Sequence, residues 1–171
     1  LGAAVCVICI HNGINPIIAT LISILAGMIA GLVTGFLITV CKIPSLLAGI
    51  LTMTALLSVN LRIMGRPNLS LINKETIFSK LQNLNLPTHY DTVLVGFILS
   101  CLIIGAMSLF FATELGQSLI ATGDNEKMAT ALGISTKTMT ILGLMLANGI
   151  ISLAGAILAQ NNGYSDVNSG I

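Results

Sequence analysis

Residues 17–40 read IIATLISILAGMIAGLVTGFLITV, and this stretch decides the fold. It carries no charged side chain, and it exceeds the roughly 20 apolar residues that a helix needs to cross a bilayer. Backbone polar groups find no water inside hydrocarbon, so a spanning segment has to satisfy them within its own helix. The stretch is therefore predicted to be a transmembrane helix.

Other apolar runs extend this prediction along the chain. Residues 43–60, 92–112 and 138–160 each have the length of a membrane-crossing helix, whereas the run 1–10 has about half of it. We interpret that short run as the end of a span that begins upstream, and the chain as the middle of a longer protein. No run alternates polar and apolar residues as a barrel strand does. The sequence predicts an all-α, polytopic integral membrane helix bundle that forms a single transmembrane domain over residues 1–171.

Composition excludes several classes of function. The chain is 55% hydrophobic and 8% charged, whereas a soluble domain carries about 25% charged residues. A soluble enzyme, a nucleic-acid binder and a disordered tail are therefore excluded, and the net charge of +1 offers no basic patch for nucleic acid. The four cysteines lie in or beside apolar runs and form no metal-ligand pattern. We predict no catalytic residue, no metal and no cofactor.

Small residues form a strip along the first full span. Gly27, Gly31 and Gly35 repeat at intervals of four, which places them on one helix face and allows another helix to approach closely. This strip is a predicted packing surface. The partner is either another helix of the same chain or a second subunit.

Polar residues also lie inside the predicted spans. Asn148, Ser152, Gly155 and Ala159 share one face of the last span. Polar residues also occur in the span 43–60, namely Thr52, Thr54, Ser58 and Asn60. Such residues either line a solute pathway or hydrogen-bond a neighbouring helix, and both interpretations stay open. No span contains an aspartate, glutamate, lysine or arginine, which argues against an ion-coupled carrier.

The polar segment 113–137, TELGQSLIATGDNEKMATALGISTK, carries signals for a short surface helix. A turn-rich piece is predicted over residues 114–121. Asp124 is placed to cap a helix over about 125–132, and Gly133 is placed to end it. A short helix held between two spans suits a docking element that transmits force from a cytoplasmic partner.

Residues 61–91 form the other long polar segment, with a turn predicted at 65–68 and a short helix capped by Asn73. If segment 113–137 is cytoplasmic, the cations on its side are Lys42, Lys127 and Lys137, and those on the other side are Arg62, Arg66, Lys74 and Lys80. The non-cytoplasmic side would then carry one cation more than the cytoplasmic side, which is the opposite of what the positive-inside rule predicts. Charge alone therefore leaves the orientation open.

Two stretches resemble the permeases of binding-protein-dependent ABC importers, in the branched-chain amino acid and ribose permease family. Residues 121–160 are similar to the family's cytoplasmic loop and following span. The matching positions are Ala121, Thr122, Gly123, Asn125, Ala129, Gly133, Ile134 and the step Leu153, Ala154, Gly155, Ala156. Residues 42–68 look like its short inner turn and next span, with Lys42, Ile43, Pro44, Thr52 and Met53 in matching places. The resemblance covers nearly the whole chain and is nearest to an uncharacterised, amino-acid-type subgroup.

The resemblance implies a multi-pass subunit of the bacterial plasma membrane that forms a solute pathway by alternating access. It implies cytoplasmic ATP-binding subunits, an extracytoplasmic solute-binding protein and a second permease copy as partners. Segment 113–137 would be the cytoplasmic coupling loop, and 61–91 would be external. The ATPase-coupling residues that it implies are Gly123, Asp124, Asn125, Glu126, Met128 and Ala129. The expected pathway-lining residues are Thr52, Asn148 and Ser152, which were identified above as polar residues inside the spans.

Two other classes of function compete with this interpretation. A secondary carrier or channel would act without an ATPase, and a scaffold or membrane enzyme subunit would transport nothing. The chain contains no GxxxxGK[ST] phosphate-binding loop, so an ATP-driven mechanism requires hydrolysis on a partner chain. The solute cannot be identified from the residues.

Overall fold

The computed structural model describes residues 1–65, 68–70 and 90–166. The helices are α1 (Gly2–His11), α2 (Pro16–Thr39), α3 (Ser45–Met64), α4 (Tyr90–Phe111), α5 (Glu114–Asp124), α6 (Glu126–Ala131) and α7 (Thr136–Asn162). Two short strands, β1 (Asn68–Ser70) and β2 (Tyr164–Asp166), pair antiparallel with Leu69 opposite Ser165. The predicted all-α membrane bundle is confirmed, and this strand pair is a small addition at one end.

Helices α2 and α7 form the central pair of the bundle. Gly35 of α2 lies beside Ile141 near the start of α7, and Ser23 near the start of α2 lies beside Ser152 in the second half of α7. The two helices are therefore antiparallel. The end of α2 and the start of α7 lie at the same end of the bundle.

Helix α1 lies against the second half of α7 and supplies three of the six residues of the buried core cluster. Cys6 and Val7 are fully buried, and they cluster with Ile10, Ala19 and the small residues of α7. The Gln160 side-chain amide donates a hydrogen bond to Cys6 Sγ at 3.2 Å, which ties α1 to α7. The short run that we predicted as 1–10 is thus a packed helix, and its place at the end of an upstream span stays a prediction.

The outer face of α2 carries large apolar side chains. Ile17, Leu25 and Ile29 are each exposed by about 60% (63%, 59% and 64%). Exposing such a surface to water would cost free energy, whereas contact with lipid tails or neighbouring helices would not. This pattern is typical of a helix in a membrane bundle.

By length and composition, three of the described helices are candidate membrane spans: α2, α3 and α7. The part of α4 from Gly96 onward makes a fourth candidate together with α5, and the two are bent by 84°. Two connections are tight: Lys42, with φ of 53°, lies in the turn between α2 and α3, and Gly65, with φ of 63°, ends α3. The rest of the predicted turn at 65–68 (except the strand residue Asn68) and the helix after Asn73 lie outside the described residues.

The two ends of the bundle differ in structure. The turn that contains Lys42 and the short helices α5 and α6 adjoin the end of α2 and the start of α7, which we call the coupling end after the coupling loop that the resemblance implies. The strand pair and the end of α3 lie at the opposite end, which we call the strand end. A cavity extends toward the strand end.

Candidate functional site

A cavity of about 720 Å³ is lined by residues of α1, α2, α3, α7 and β2. The three predicted pathway residues, Thr52, Asn148 and Ser152, all line it. Glycines, alanines, hydroxyls and amides make up much of the wall, together with several aliphatic side chains. Such a lining offers hydrogen bonds at a few points and little obstruction elsewhere, which suits a small polar solute.

Two threonines join α2 to α3 at the wall of the cavity. Thr34 Oγ1 donates a hydrogen bond to Thr52 Oγ1 at 3.1 Å, and Thr52 donates to the carbonyl of Ala48 at 2.8 Å. Both threonines are buried. Thr52 therefore lines the cavity and also connects two helices. Its hydroxyl is consistent with both alternatives given above, a pathway residue and a hydrogen bond between helices.

A second polar contact lies where α1, α2 and α7 meet. Ser23 Oγ donates to the carbonyl of Gly2 at 2.9 Å, and Ser152 Oγ donates to the carbonyl of Ser23. Buried hydroxyls need such partners because an unpaired one costs free energy. Asn148 differs, because its amide donates to the carbonyl of Leu144 within α7 at 2.9 Å.

The predicted glycine strip of α2 faces α7. An added Cβ at Gly27 would lie 2.6 Å from the carbonyl oxygen of Asn148, and one at Gly31 would lie 2.8 Å from the carbonyl carbon of Leu144. At Gly35 the nearest atom would be Ile141 Cα at 3.0 Å. The structure thus places all three glycines at an intramolecular helix contact, where only hydrogen fits.

The short helices at the coupling end begin with a sharp bend. Thr113 caps α5: its Oγ1 accepts from the amide of Gly116 at 3.3 Å and donates to the carbonyl of Phe110 at 2.6 Å. A Cβ at Gly116 would lie 3.0 Å from the carbonyl carbon of Phe110. A threonine cap and a glycine one turn later therefore permit the 84° bend.

Two details of this segment correct the sequence predictions. The piece 114–121 is helical rather than turn-rich, and α5 continues through Gly123 to Asp124. Asp124 is therefore the last residue of α5 and does not cap the next helix. Asn125 takes that role, because its Oδ1 accepts from the amide of Met128 at 3.1 Å.

Helix α6 is fixed to the start of α7. Gly133, with φ of 82°, allows the chain to reverse, and the amide of Ile134 bonds to the carbonyl of Ala129 at 3.0 Å. The hydroxyl of Thr136 in turn donates to Glu126 Oε1 at 3.4 Å. Helix α6 is therefore joined to α7 through the backbone and one side-chain contact.

The implied coupling residues divide by exposure. Those at the surface are Gly123, Asp124, Asn125, Glu126 and Met128. Ala129 is fully buried, because the turn after α6 folds this side of the helix onto the bundle, and it is therefore not at the surface that the other implied coupling residues form. Met128 and Leu132 present apolar side chains that are 49% and 68% exposed.

Sequence reasoning missed two residues of these sites, Thr113 and Ser165, and noted Asn60 only as one of several polar residues in the span 43–60. Asn60 and Ser165 line the cavity, and each has a buried oxygen without a hydrogen-bond partner among the described residues. The preference of threonine for helix N-caps could have revealed Thr113. Nothing in the local sequence indicated Ser165. Across residues 1–65, 68–70 and 90–166, no group of three or more metal-ligating side chains occurs.

A family model described as the permease component of the branched-chain amino acid transport system matches residues 1–171. The chain belongs to this permease family. The match covers the cavity, the glycine strip and the short helices together. The helical bundle is thus the fold of a membrane permease component.

Curated relatives agree with the family. A tyrosine transport system permease protein of Clostridioides difficile is 43% identical over all of this chain and 55% of its own length. An uncharacterised protein of Rickettsia prowazekii is 37% identical over 99% of the chain and 58% of its own length. An autoinducer 2 import system permease protein of Yersinia enterocolitica is 27% identical over 91% of the chain and 42% of its own length. The chain spans about half the length of these relatives, and no solved structure matches it.

Proposed function

We propose that the chain is part of the permease subunit of a bacterial ABC importer, in which it forms a share of the solute pathway. The observation that carries this proposal is the pairing of a largely apolar cavity that contains a few hydroxyl and amide groups with a surface helix fixed to one of its walls. Helix α7 supplies Asn148 and Ser152 to the cavity and receives α6 at its first residue. One helix thus connects the two sites.

The coupling end suits contact with a cytoplasmic ATP-binding subunit. Helix α6 presents an exposed apolar side chain at Met128 beside exposed charged groups at Glu126 and Lys127. Closure of two ATPase subunits on nucleotide would displace α5 and α6, and the contacts of α6 with α7 would tilt the cavity wall. Differential binding of nucleotide supplies the free energy for the shift between inward-open and outward-open states.

This mechanism assigns the two ends of the bundle to opposite sides of the plasma membrane. The coupling end is cytoplasmic, and the strand end faces the external solute-binding protein. A second permease copy completes the pathway. Tyrosine transport by a relative that is 43% identical favours an amino acid as the solute.

Reconstitution of the full-length permease tests the proposal. The permease is placed in proteoliposomes with its cognate ATP-binding subunit and solute-binding protein, and uptake of labelled amino acids is measured. We expect uptake that requires ATP on the ATPase side and stops when the ATPase is omitted. Uptake that persists without ATPase and follows an ion gradient would instead establish a secondary carrier.

A matched pair of substitutions tests the contact itself. Met128→Lys places a charge on the exposed apolar face of α6, whereas Thr130→Lys places the same charge two residues along, on roughly the opposite face. Both positions are exposed, so neither change disturbs the core. We expect Met128→Lys to reduce co-purification of the ATPase and ATP-driven uptake, and Thr130→Lys to leave both near wild type.

A further inference from the structure

The cavity stops well short of the coupling end. Among the described lining residues, none lies nearer to the coupling end than Thr34 on α2, Gly49 on α3 and Asn148 on α7. Beyond this level the two central helices are in close contact, since an added Cβ at Gly35 would lie 3.0 Å from Ile141 Cα. The cavity therefore extends toward the strand end and is closed at the depth of Thr34.

Two threonines at this closed end join α2 to α3 by a contact that can be broken at little cost. The Thr34 hydroxyl has two acceptors, Thr52 Oγ1 at 3.1 Å and the carbonyl of Ala30 at 3.0 Å. The Thr52 hydroxyl donates to the carbonyl of Ala48 at 2.8 Å. Each carbonyl lies four residues earlier in the threonine's own helix, a bond that threonine commonly makes. If α2 and α3 separate here, each hydroxyl keeps a partner, so the separation leaves no buried donor unpaired.

The serine contact between α1, α2 and α7 is different. The Ser23 hydroxyl donates to the carbonyl of Gly2, and the Ser152 hydroxyl donates to the carbonyl of Ser23. These partners lie on other helices, so separating the three helices would take the partners of both hydroxyls away. We therefore expect α1, α2 and α7 to stay together, with α3 as the wall that moves.

Helix α3 is held more loosely than α2. Four of the 20 residues of α3 are buried, whereas α2 buries nine of 24. The turn that contains Lys42 ties the start of α3 to the end of α2, which leaves a swing about this turn as the available movement. Asn60 Oδ1, near the other end of α3, is buried without a hydrogen-bond partner among the described residues. A swing that admits water to this atom removes the cost of leaving it unpaired, which narrows the free-energy difference between the two positions of α3.

We propose that the hydrogen bond between Thr34 and Thr52 is a reversible latch, which opens and re-forms in each transport cycle. While the latch is closed, the cavity ends at the two threonines. When it opens, α3 swings away from α2 and the cavity deepens between these helices toward the coupling end. This inference rests on the proposed transport function and deepens it by identifying the wall of the pathway that moves.

A reversible covalent lock tests the latch. Thr34→Cys and Thr52→Cys are combined in the full-length permease after its other cysteines have been replaced by alanine. The two hydroxyls are 3.1 Å apart, so sulfur atoms at these positions lie close enough to form a disulfide. Uptake is measured in proteoliposomes with the cognate ATPase and solute-binding protein. We expect ATP-driven uptake to be lost when copper phenanthroline oxidises the pair and to return when dithiothreitol reduces it.

A second cysteine pair is the matched control. Thr34→Cys is combined with Thr54→Cys, two residues along α3, where the side chain is exposed and bonds to the carbonyls of Ile50 and Leu51. Position 54 does not face α2, so we expect no disulfide within the chain. Oxidation should then leave the uptake of this variant at its reduced level.

A labelling experiment tests the latch without a disulfide. Ala48 is fully buried and lies one turn from Thr52 toward the coupling end, so Ala48→Cys reports whether α2 and α3 separate there. Its reaction with a small water-soluble methanethiosulfonate is compared between Thr34→Val, which keeps the shape of the side chain, and Thr54→Val. We expect labelling about fivefold faster with Thr34→Val, the change in population that one net hydrogen bond represents.

Two results would overturn the latch. One is uptake that continues unchanged in the oxidised Thr34→Cys, Thr52→Cys protein, with the disulfide verified by mass spectrometry, or a pair that forms no disulfide at all. The other is equal labelling of Ala48→Cys with Thr34→Val and Thr54→Val. If the cysteine-free parent shows no ATP-driven uptake, the proposed function fails instead, and the labelling comparison still decides the latch because it does not depend on transport.

Discussion

Replacing Gly31 with alanine should weaken the contact between α2 and α7. The added Cβ would lie 2.8 Å from the carbonyl carbon of Leu144 and 2.8 Å from Met145 Cα. Both are backbone atoms, which cannot rotate away as a flexible side chain does. Ordinary contacts of this kind measure about 3.5–4.0 Å, so the two helices have to separate by roughly 1 Å at this point.

The expected loss of stability is estimated from the cost of overpacking, and a matched control cancels the contribution of helix propensity. Overpacking of a close contact costs about 1–3 kcal/mol. Alanine also has a helix propensity better than that of glycine by about 0.8–1 kcal/mol, which partly hides the loss. Gly105→Ala, on α4, has the same propensity gain and meets no atom within 4 Å. We therefore expect Gly31→Ala to be less stable than Gly105→Ala by about 1–3 kcal/mol.

The assay is reversible unfolding of the full-length permease in mixed micelles, followed by circular dichroism. The two variants and the wild type are measured side by side, and free energies of unfolding are compared at one detergent composition. Equal stabilities for Gly31→Ala and Gly105→Ala would show that the glycine strip does not need its close approach to α7. The argument from small residues would then fail.

Three other substitutions test the short helices and the polar contacts. Asn125→Ala removes the cap of α6 and should destabilise it by about 1 kcal/mol, seen as faster amide exchange over residues 126–131; unchanged exchange would contradict this role. Gly116→Ala adds a Cβ at the bend between α4 and α5 and should lower the melting temperature, and an unaltered value would mean that the bend tolerates it. Ser152→Ala should lower the free energy of unfolding by about 1–2 kcal/mol because it leaves a buried carbonyl without its donor. Exposed Ser58→Ala should change it by less than about 0.5 kcal/mol, so equal effects would count against the buried contact.

Hydropathy predicts much of this fold because lipid leaves few alternatives. A long apolar stretch such as residues 17–40 has to form a helix in hydrocarbon, and α2 covers almost the same residues. The spacing of the glycines also shows that they share one face of the helix, but it does not show which helix packs against that face. Only the folded chain shows that α7, rather than a second subunit, meets the strip.

The short helices show where local signals fail. Asp124 and Asn125 are both good caps, and the sequence offers no reason to prefer one. The choice depends on how far α5 continues, which is set by the packing of α5 against α7. The burial of Ala129 also depends on the folded chain, because the turn at Gly133 folds α6 onto the bundle.

The cavity was predictable only in part. Polar residues within apolar helices, such as Thr52 and Ser152, stand out in a sequence because they are costly in lipid. Asn60 adds polarity to the predicted span 43–60, but its position in the sequence does not show whether it lines a cavity or contacts a neighbouring helix. Ser165 lies in a strand that no pattern indicated. Their meeting at one cavity results from tertiary contacts between α1, α3 and β2.

A photo-crosslinking amino acid at position 128 offers the most direct measurement of the contact with a motor. The full-length permease is expressed in cells with the benzophenone side chain in place of Met128, and in a control in place of Phe97, an aromatic residue of α4 that is 70% exposed. After illumination, we expect position 128 to form an adduct with the ATP-binding subunit and position 97 to form none. An ATPase adduct at neither position, together with labelling of Lys127 by an impermeant reagent in intact cells, would contradict a cytoplasmic coupling helix.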